Sequence, residues 1–262
     1  MIANWKKTGI VVLDAVLGVY ILLAMTAFDK PNVETNICSK VNINIADEAT
    51  NGFINPKEIK NRLEQADIYP LGRPIRVISS RKIEETLKQS AFVRDAECYK
   101  AQDGDICINI TQRLPVIRIK SVRGEDYYID DKNCIMPNSH YASDIIIATG
   151  YIDKWYATRY ISPLAKEIMG NDLWRNLIEQ INVTPSHGIE LVPRLGNHIV
   201  YIGQLPESNS RRQRPKMIKT YVDEKLTRLE KFYKYGLSQA GWNKYSYINL
   251  EFDNQIICKK KK

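Results

Sequence analysis

The chain has 262 residues, 44% of them hydrophobic, and a formal charge of +8. That is enough for one large or two modest domains behind a leading segment. Five cysteines, odd in number and without a CxxC pair, exclude a disulfide scaffold and a zinc module. The basic residues are spread out, dense only at Arg211–Arg212 with Arg214 and at Lys259–Lys262. No basic stripe is interleaved with aromatics, so the charge reads as a solvated surface rather than a nucleic-acid footprint.

The first predicted element is GIVVLDAVLGVYILLAMTAF, residues 9–28, behind the tail MIANWKKT. Twenty residues at 1.5 Å each give about 30 Å of helix, the thickness of a bilayer core. A secretory signal is shorter and ends in a small-x-small site. Cleavage after Ala27 would place Met25 three residues back, so the run is read as an uncleaved anchor. Asp14 costs roughly 2.5–3.5 kcal/mol at a span centre, but it lies near the start, within reach of the headgroups. The eleven Leu, Ile, Val and Phe residues offer on the order of −3 to −6 kcal/mol, so insertion wins. Lys6 and Lys7 before the span place residues 1–8 in the cytoplasm and export the remainder.

Residues 29–40 form a polar linker, and VNINIA (41–46) alternates like a strand. Asn55-Pro56-Lys57-Glu58 starts a helix, with Ile59, Leu63 and Ala66 as its apolar stripe. Tyr69-Pro70-Leu71-Gly72 ends it, and a second helix from Ser79–Ser80 buries Ile83 and Leu87. In FVRDAECYKAQDGDICINITQRLP, a three-residue loop Gln102-Asp103-Gly104 sets Cys98 opposite Ile108. Ala96, Cys98, Ile106, Ile108 and Ile110 then share the inner face, with Glu97, Tyr99, Cys107, Asn109 and Thr111 outside. A two- or four-residue loop would mix the faces. On this register Cys98 and Cys107 do not pair.

Strand–helix–helix–strand–strand, with IEETLKQSAFVRDAECY followed by ICINITQRLPVIRI, resembles a POTRA domain over residues 41–121. Gln112 stands where such domains often carry a glutamate. Beyond it, DYYID (126–130) and CIM (134–136) flank a polar turn, and DIIIATG (144–150) is a buried strand. Ser162-Pro163 starts a short helix, and Asn171-Asp172 another carrying Leu173, Leu177 and Ile181. GIELVPRLG (188–196) and HIVYIG (198–203) form a hairpin whose first strand Pro193 weakens. A helix from about Lys216 to Ala240 carries Ile218, Val222, Leu226, Leu229 and Tyr233. YSYINLEFDNQIIC (245–258) is the last strand.

Taken in that order behind one anchor, YYIDDKNCIMP, IIIATGYID, GIELVPRLGNHIVYIG, a long helix and GWNKYSYINLEFDNQIIC resemble the bacterial division family FtsQ/DivIB. The resemblance implies an α+β protein: one N-terminal transmembrane helix, a POTRA domain (41–121), then a mixed β-sheet domain (122–258) and a basic tail (259–262). It implies a septal inner-membrane scaffold without catalytic activity or cofactor, joining FtsL and FtsB (or DivIC) to control septal peptidoglycan synthesis.

No catalytic group stands out. Cys134 with His140, near Asp130 and Asp131, lacks an oxyanion-donating loop and reads as a packed or idle cysteine. His187 and His198 fit no metal spacing and read as surface loop histidines. The aspartates of 126–131 belong to a turn. LGNHIVYIG lacks the Lys and Ser/Thr of a phosphate loop. In the last strand, Ser246, Ile248, Leu250, Phe252, Asn254 and Ile256 are expected to face the core. A terminal strand offers unpaired backbone groups to a partner, although the lysines after it also blunt an edge. The resemblance implies partner binding there, at Tyr247, Asn249, Leu250, Glu251, Phe252, Asp253, Gln255 and Ile257. Two other readings are a POTRA adaptor for outer-membrane assembly or secretion, and an anchored cell-wall hydrolase. The adaptors usually carry repeated POTRA units, and the hydrolase lacks residues for the work.

Overall fold

The computed structural model describes residues 3–27, 37–46, 53–101, 103–139 and 145–261. Helix α1 runs Ala3–Ala27, and Ile10, Val11, Leu13, Val16, Leu17 and Tyr20 along it are exposed. Among the described residues no helix is long and apolar enough to cross a membrane. The rest of the linker expected at 29–40 lies outside the described residues up to position 36. The chain divides into two units, one holding residues 1–44, 56–87 and 96–110, the other 45–55, 88–95 and 111–262.

In the first unit, helix α2 (Pro56–Gln65) buries Ile59 and Leu63 one turn apart. Ala66 lies beyond its end and is exposed, because Asp67 takes φ +51° and turns the chain away. Helix α3 (Ser80–Lys88) starts where Ser79 Oγ accepts the Lys82 N–H at 3.3 Å, and it buries Ile83 and Leu87. Strands β1 (Val41–Ala46), β2 (Val93–Lys100) and β3 (Ile106–Gln112) form a sheet in the order β1-β3-β2. The expected register holds. Ala101 N–H donates to Asp105 O at 2.9 Å, which places Cys98 opposite Ile108, and Gly104 takes φ +90° in the loop. Ala96, Cys98, Ile106, Ile108 and Ile110 are buried, whereas Tyr99 is exposed. Burial pushes the Cys98 thiol pKa up.

The second unit is a nine-stranded sheet in the order β12-β11-β10-β9-β8-β7-β4-β5-β6. Its strands are β4 (Pro115–Ser121), β5 (Asp126–Asp130), β6 (Ile135–Pro137), β7 (Ile146–Gly150), β8 (Ile178–Val183), β9 (Gly188–Pro193), β10 (Ile199–Gln204), β11 (Tyr245–Asn249) and β12 (Ile257–Lys260). The POTRA boundary expected at 121 is therefore too late. After the break at Arg113-Leu114, β4 pairs with β5 and β7 and buries Ile117 and Ile119 in this unit's core. Gln112 is buried here: its side chain accepts from Ile54 N–H and donates to Ala46 O.

Three helices are interleaved with these strands along the chain. A turn at Lys154–Tyr156, capped by Asp153 Oδ1 accepting from Tyr156 N–H at 2.6 Å, widens into a π turn at Ala157–Ile161 and continues as α4 (Ser162–Met169). The expected start at Ser162-Pro163 is thus the middle of a longer helical stretch. Pro163 has no N–H and crowds the carbonyl four residues back. The chain answers by widening, with Ser162 N–H reaching Ala157 O. Helix α5 (Asp172–Leu177) starts at Asn171, whose Oδ1 accepts from Leu173 and Trp174 N–H. It ends at Leu177; Trp174 is buried, Leu173 is exposed, and Ile181 belongs to β8. Helix α6 (Arg214–Phe232) passes through a second π turn, Tyr233–Leu237, to Ser238–Ala240. Ile218, Val222, Leu226 and Leu229 of α6 pack with Leu164 and Ile168 of α4 and with Ile181, Leu191, Val200 and Ile248 of the sheet. This core contains 0%-exposed side chains from every layer.

Candidate partner-binding edge

Residues 245–258 do not form one strand. β11 pairs in parallel with β10, as Ile199↔Tyr247, Val200↔Ile248 and Tyr201↔Asn249. The chain turns at 250–256, and β12 returns antiparallel along β11, as Asn249↔Ile257, Ile248↔Cys258, Tyr247↔Lys259 and Tyr245↔Lys260. Asn254 takes φ +61° in that turn, a conformation for which Asn is suited. The alternation expected through Ile256 therefore stops at Leu250. Ile248 and Leu250 are fully buried, Phe252 is exposed, and Ile256 is only partly buried. Lys259 and Lys260 belong to β12 rather than to a tail.

The eight residues expected to meet a partner are split accordingly. Tyr247 and Asn249 lie on β11, inside the sheet. Leu250 is core. Glu251, Phe252, Asp253 and Gln255 form the turn, and Ile257 opens the edge strand, about half exposed. Within the sheet Tyr247 stacks on Tyr201 at 6.2 Å and donates its hydroxyl to Glu190 at 3.3 Å. Burial raises the Tyr247 phenol pKa far above its ordinary value, with the neighbouring carboxylate adding to the effect.

β12 is the terminal strand on this side of the sheet. Lys261 N–H donates inward to Lys244 O at 3.0 Å, and Ser246 Oγ donates to Lys259 O at 3.4 Å. Strand alternation then turns the backbone groups of Cys258 and Lys260 outward, away from β11. A sheet edge of this kind accepts an added strand.

Two α6 cations fix the turn. Lys225, 3% exposed, donates to Glu251 O at 2.7 Å and Asp253 Oδ1 at 3.3 Å, and its ammonium lies 5.0 Å from the Tyr221 ring centre. Arg228 donates to Leu250 O at 3.3 Å, Phe252 O at 2.9 Å and Gln255 O at 2.5 Å. Beneath them, Gly203 at φ +87° leaves room for Tyr221 OH, which a Cβ would approach to 2.8 Å. Tyr221 OH donates to Ile202 O, and burial pushes its pKa up to about 12. The sequence held one signal for this: Lys225 falls one heptad after Ile218, on the apolar stripe of α6. Arg228 is off that stripe and gave none.

The other candidate residues do not assemble into a site. His198 is buried, not on the surface; its Nε2 lies 2.7 Å from Tyr233 OH, its Nδ1 has no hydrogen-bond partner among the described residues, and burial lowers its pKa. His187 is exposed and stacks on Tyr156 at 4.5 Å. Cys134 is exposed in the turn before β6 rather than packed, and His140 lies outside the described residues. Asp130 holds that turn, its carboxylate accepting Lys132 and Cys134 N–H. Among the described residues no His, Cys, Asp and Glu cluster could hold a metal ion.

The chain thus joins a POTRA-like unit to a helix-covered mixed sheet whose outermost strand on one side is the C-terminal β12. Residues 36–111 match the POTRA-like domain family, and residues 114–259 match the family described as FtsQ/DivIB, C-terminal related. The chain belongs to the FtsQ/DivIB family of cell division proteins. No curated protein matches it.

Proposed function

We propose that the chain is a bitopic, non-enzymatic division scaffold. α1 anchors it with residues 1–8 in the cytoplasm and the two units outside, at the septum. There the β12 edge receives a bitopic partner of the FtsB/DivIC type, held with FtsL, and the assembly regulates septal peptidoglycan synthesis. The observation that carries this reading is the terminal position of β12 in the sheet of an FtsQ/DivIB-family chain, with the backbone groups of Cys258 and Lys260 facing away from β11.

Proline tests it. A proline at 258 or 260 deletes an outward donor while sparing the inward bonds of 257, 259 and 261. Cys258→Pro and Lys260→Pro are expected to abolish co-purification of the FtsB/DivIC-type partner and septal enrichment of a fluorescent fusion. Both should keep a cooperative melt of the exported part. If both variants fold and bind at parental affinity, strand addition at β12 is wrong.

A further inference from the structure

The second unit carries a trough that the edge mechanism leaves unused. It consists of two adjoining hollows of about 330 and 540 Å³ that share Arg159, Asn209 and Arg214. None of the eight edge residues lines either one.

One end is aromatic, and its single carboxylate is the exposed Glu207, so acidic groups of an occupant are directed to the other end. Tyr156 is sandwiched between Tyr160, at 5.0 Å, and His187, at 4.5 Å, so its faces are consumed. Trp155, 50% exposed, is the ring left open to solvent there. Arg159 covers it only in part, with its guanidinium 4.9 Å from the ring centre. His187 takes φ +61°, a conformation uncommon for a residue other than glycine and often kept at binding sites.

The other end is cationic. Lys132, Arg159 and Arg211 line it and are exposed, and among the described residues none of the three has an ion-pair partner. Arg214 is different: it is buried, donates to Ser208 O at 2.6 and 3.0 Å, and lies 5.1 Å from the Tyr160 ring centre. It serves as the fixed floor between the two ends. Arg159 owes its place to the π turn that Pro163 imposes, and π turns inside helices are frequent at functional sites.

We propose that this trough is a second docking site for an acidic segment of another protein, in which Glu or Asp stands beside an aromatic residue. The carboxylates meet the three unpaired cations, and the ring lies against Trp155. Two joined hollows suit an extended chain. A single phosphate would instead favour donors converging on one point, and a lipid tail would need an apolar lining that Ser186, Gln204 and Asn209 do not provide.

Cys134 lines the cationic hollow and is exposed, which makes it a native reporter. The full chain in detergent micelles would be titrated with an alternating Glu-Tyr peptide, its Gln-Tyr and Glu-Gly counterparts, inorganic phosphate, and vesicles of anionic phospholipid. Cys134 alkylation would be followed by mass spectrometry. The Glu-Tyr peptide is expected to slow alkylation and the other probes to do so far less. The double variant Arg159→Gln/Arg211→Gln, both surface changes, should weaken peptide binding about tenfold, as should high salt. Equal binding by the Gln-Tyr peptide, parental affinity of a folded double variant, or protection by phosphate or vesicles instead of peptide would overturn the proposal.

Discussion

Arg228→Met removes the side chain that ties the 250–256 turn to α6. Its guanidinium reaches the carbonyls of Leu250, Phe252 and Gln255. A hydrogen bond to a charged group contributes about 1.5–3 kcal/mol when shielded. Here the turn is open to water, so the released carbonyls rehydrate and the three together should contribute about 1–2 kcal/mol. The methionine keeps the stem that packs along the helix. The loss should be local, because Ile248 and Leu250 stay buried whether or not the turn is tied. Hydrogen exchange read by mass spectrometry should show residues 251–256 opening about 5–30-fold faster, with β8 and β9 unchanged. Lys225→Met should add to this while changing global stability little, since losing its bond to Glu251 O also relieves a buried charge. Unchanged protection of 251–256 in Arg228→Met would refute the idea that α6 fixes the edge.

Gly203→Ala forces a side chain into φ +87° and against Tyr221 OH at 2.8 Å, and should cost about 1–3 kcal/mol in urea unfolding. Asn171→Ala deletes an N-cap that accepts two backbone donors; a loss of about 1 kcal/mol, or about 2–4 °C in Tm, is expected by calorimetry. His198 is held neutral by burial, with its pKa below 6.5. The unfolded chain therefore binds the extra proton first, and native stability falls as pH drops below about 6.5. His198→Asn should flatten that part of the pH–Tm curve; an unchanged slope would show that His198 does not titrate with unfolding.

The elements legible in the sequence were those with one dominant local signal. The β2–β3 register followed from period-two burial and a glycine able to take positive φ. Asn171 announced its helix by capping chemistry. β8 was hidden because Leu177 and Ile181 sit four apart, a helical spacing, while the irregular pairing between Ile178 and Gln180 breaks the strand alternation. The final hairpin was hidden because apolar residues continue at every second position through Phe252. The competing signal, Asp253-Asn254, is turn chemistry and should have outweighed it. Pro163 reads as a helix start, and only the Ser162-to-Ala157 bond shows that it lies within one. The outermost strand begins at Ile257 rather than at Tyr245, because a long-range pairing decides which segment lies outermost.

The parallel pairing of β10 with β11 has a consequence in time. Antiparallel neighbours can zip from a tight turn, but a parallel pair closes only after its crossover has folded, here α6. β12 in turn can form only on a completed β11. The outermost strand is therefore among the last parts of the unit to appear, after contacts that are far apart in sequence have been made. A half-folded or truncated copy would display a POTRA-like unit but no finished edge. Recruitment through β12 would then act as an inspection step, admitting to the division assembly only molecules whose folding has run to the end.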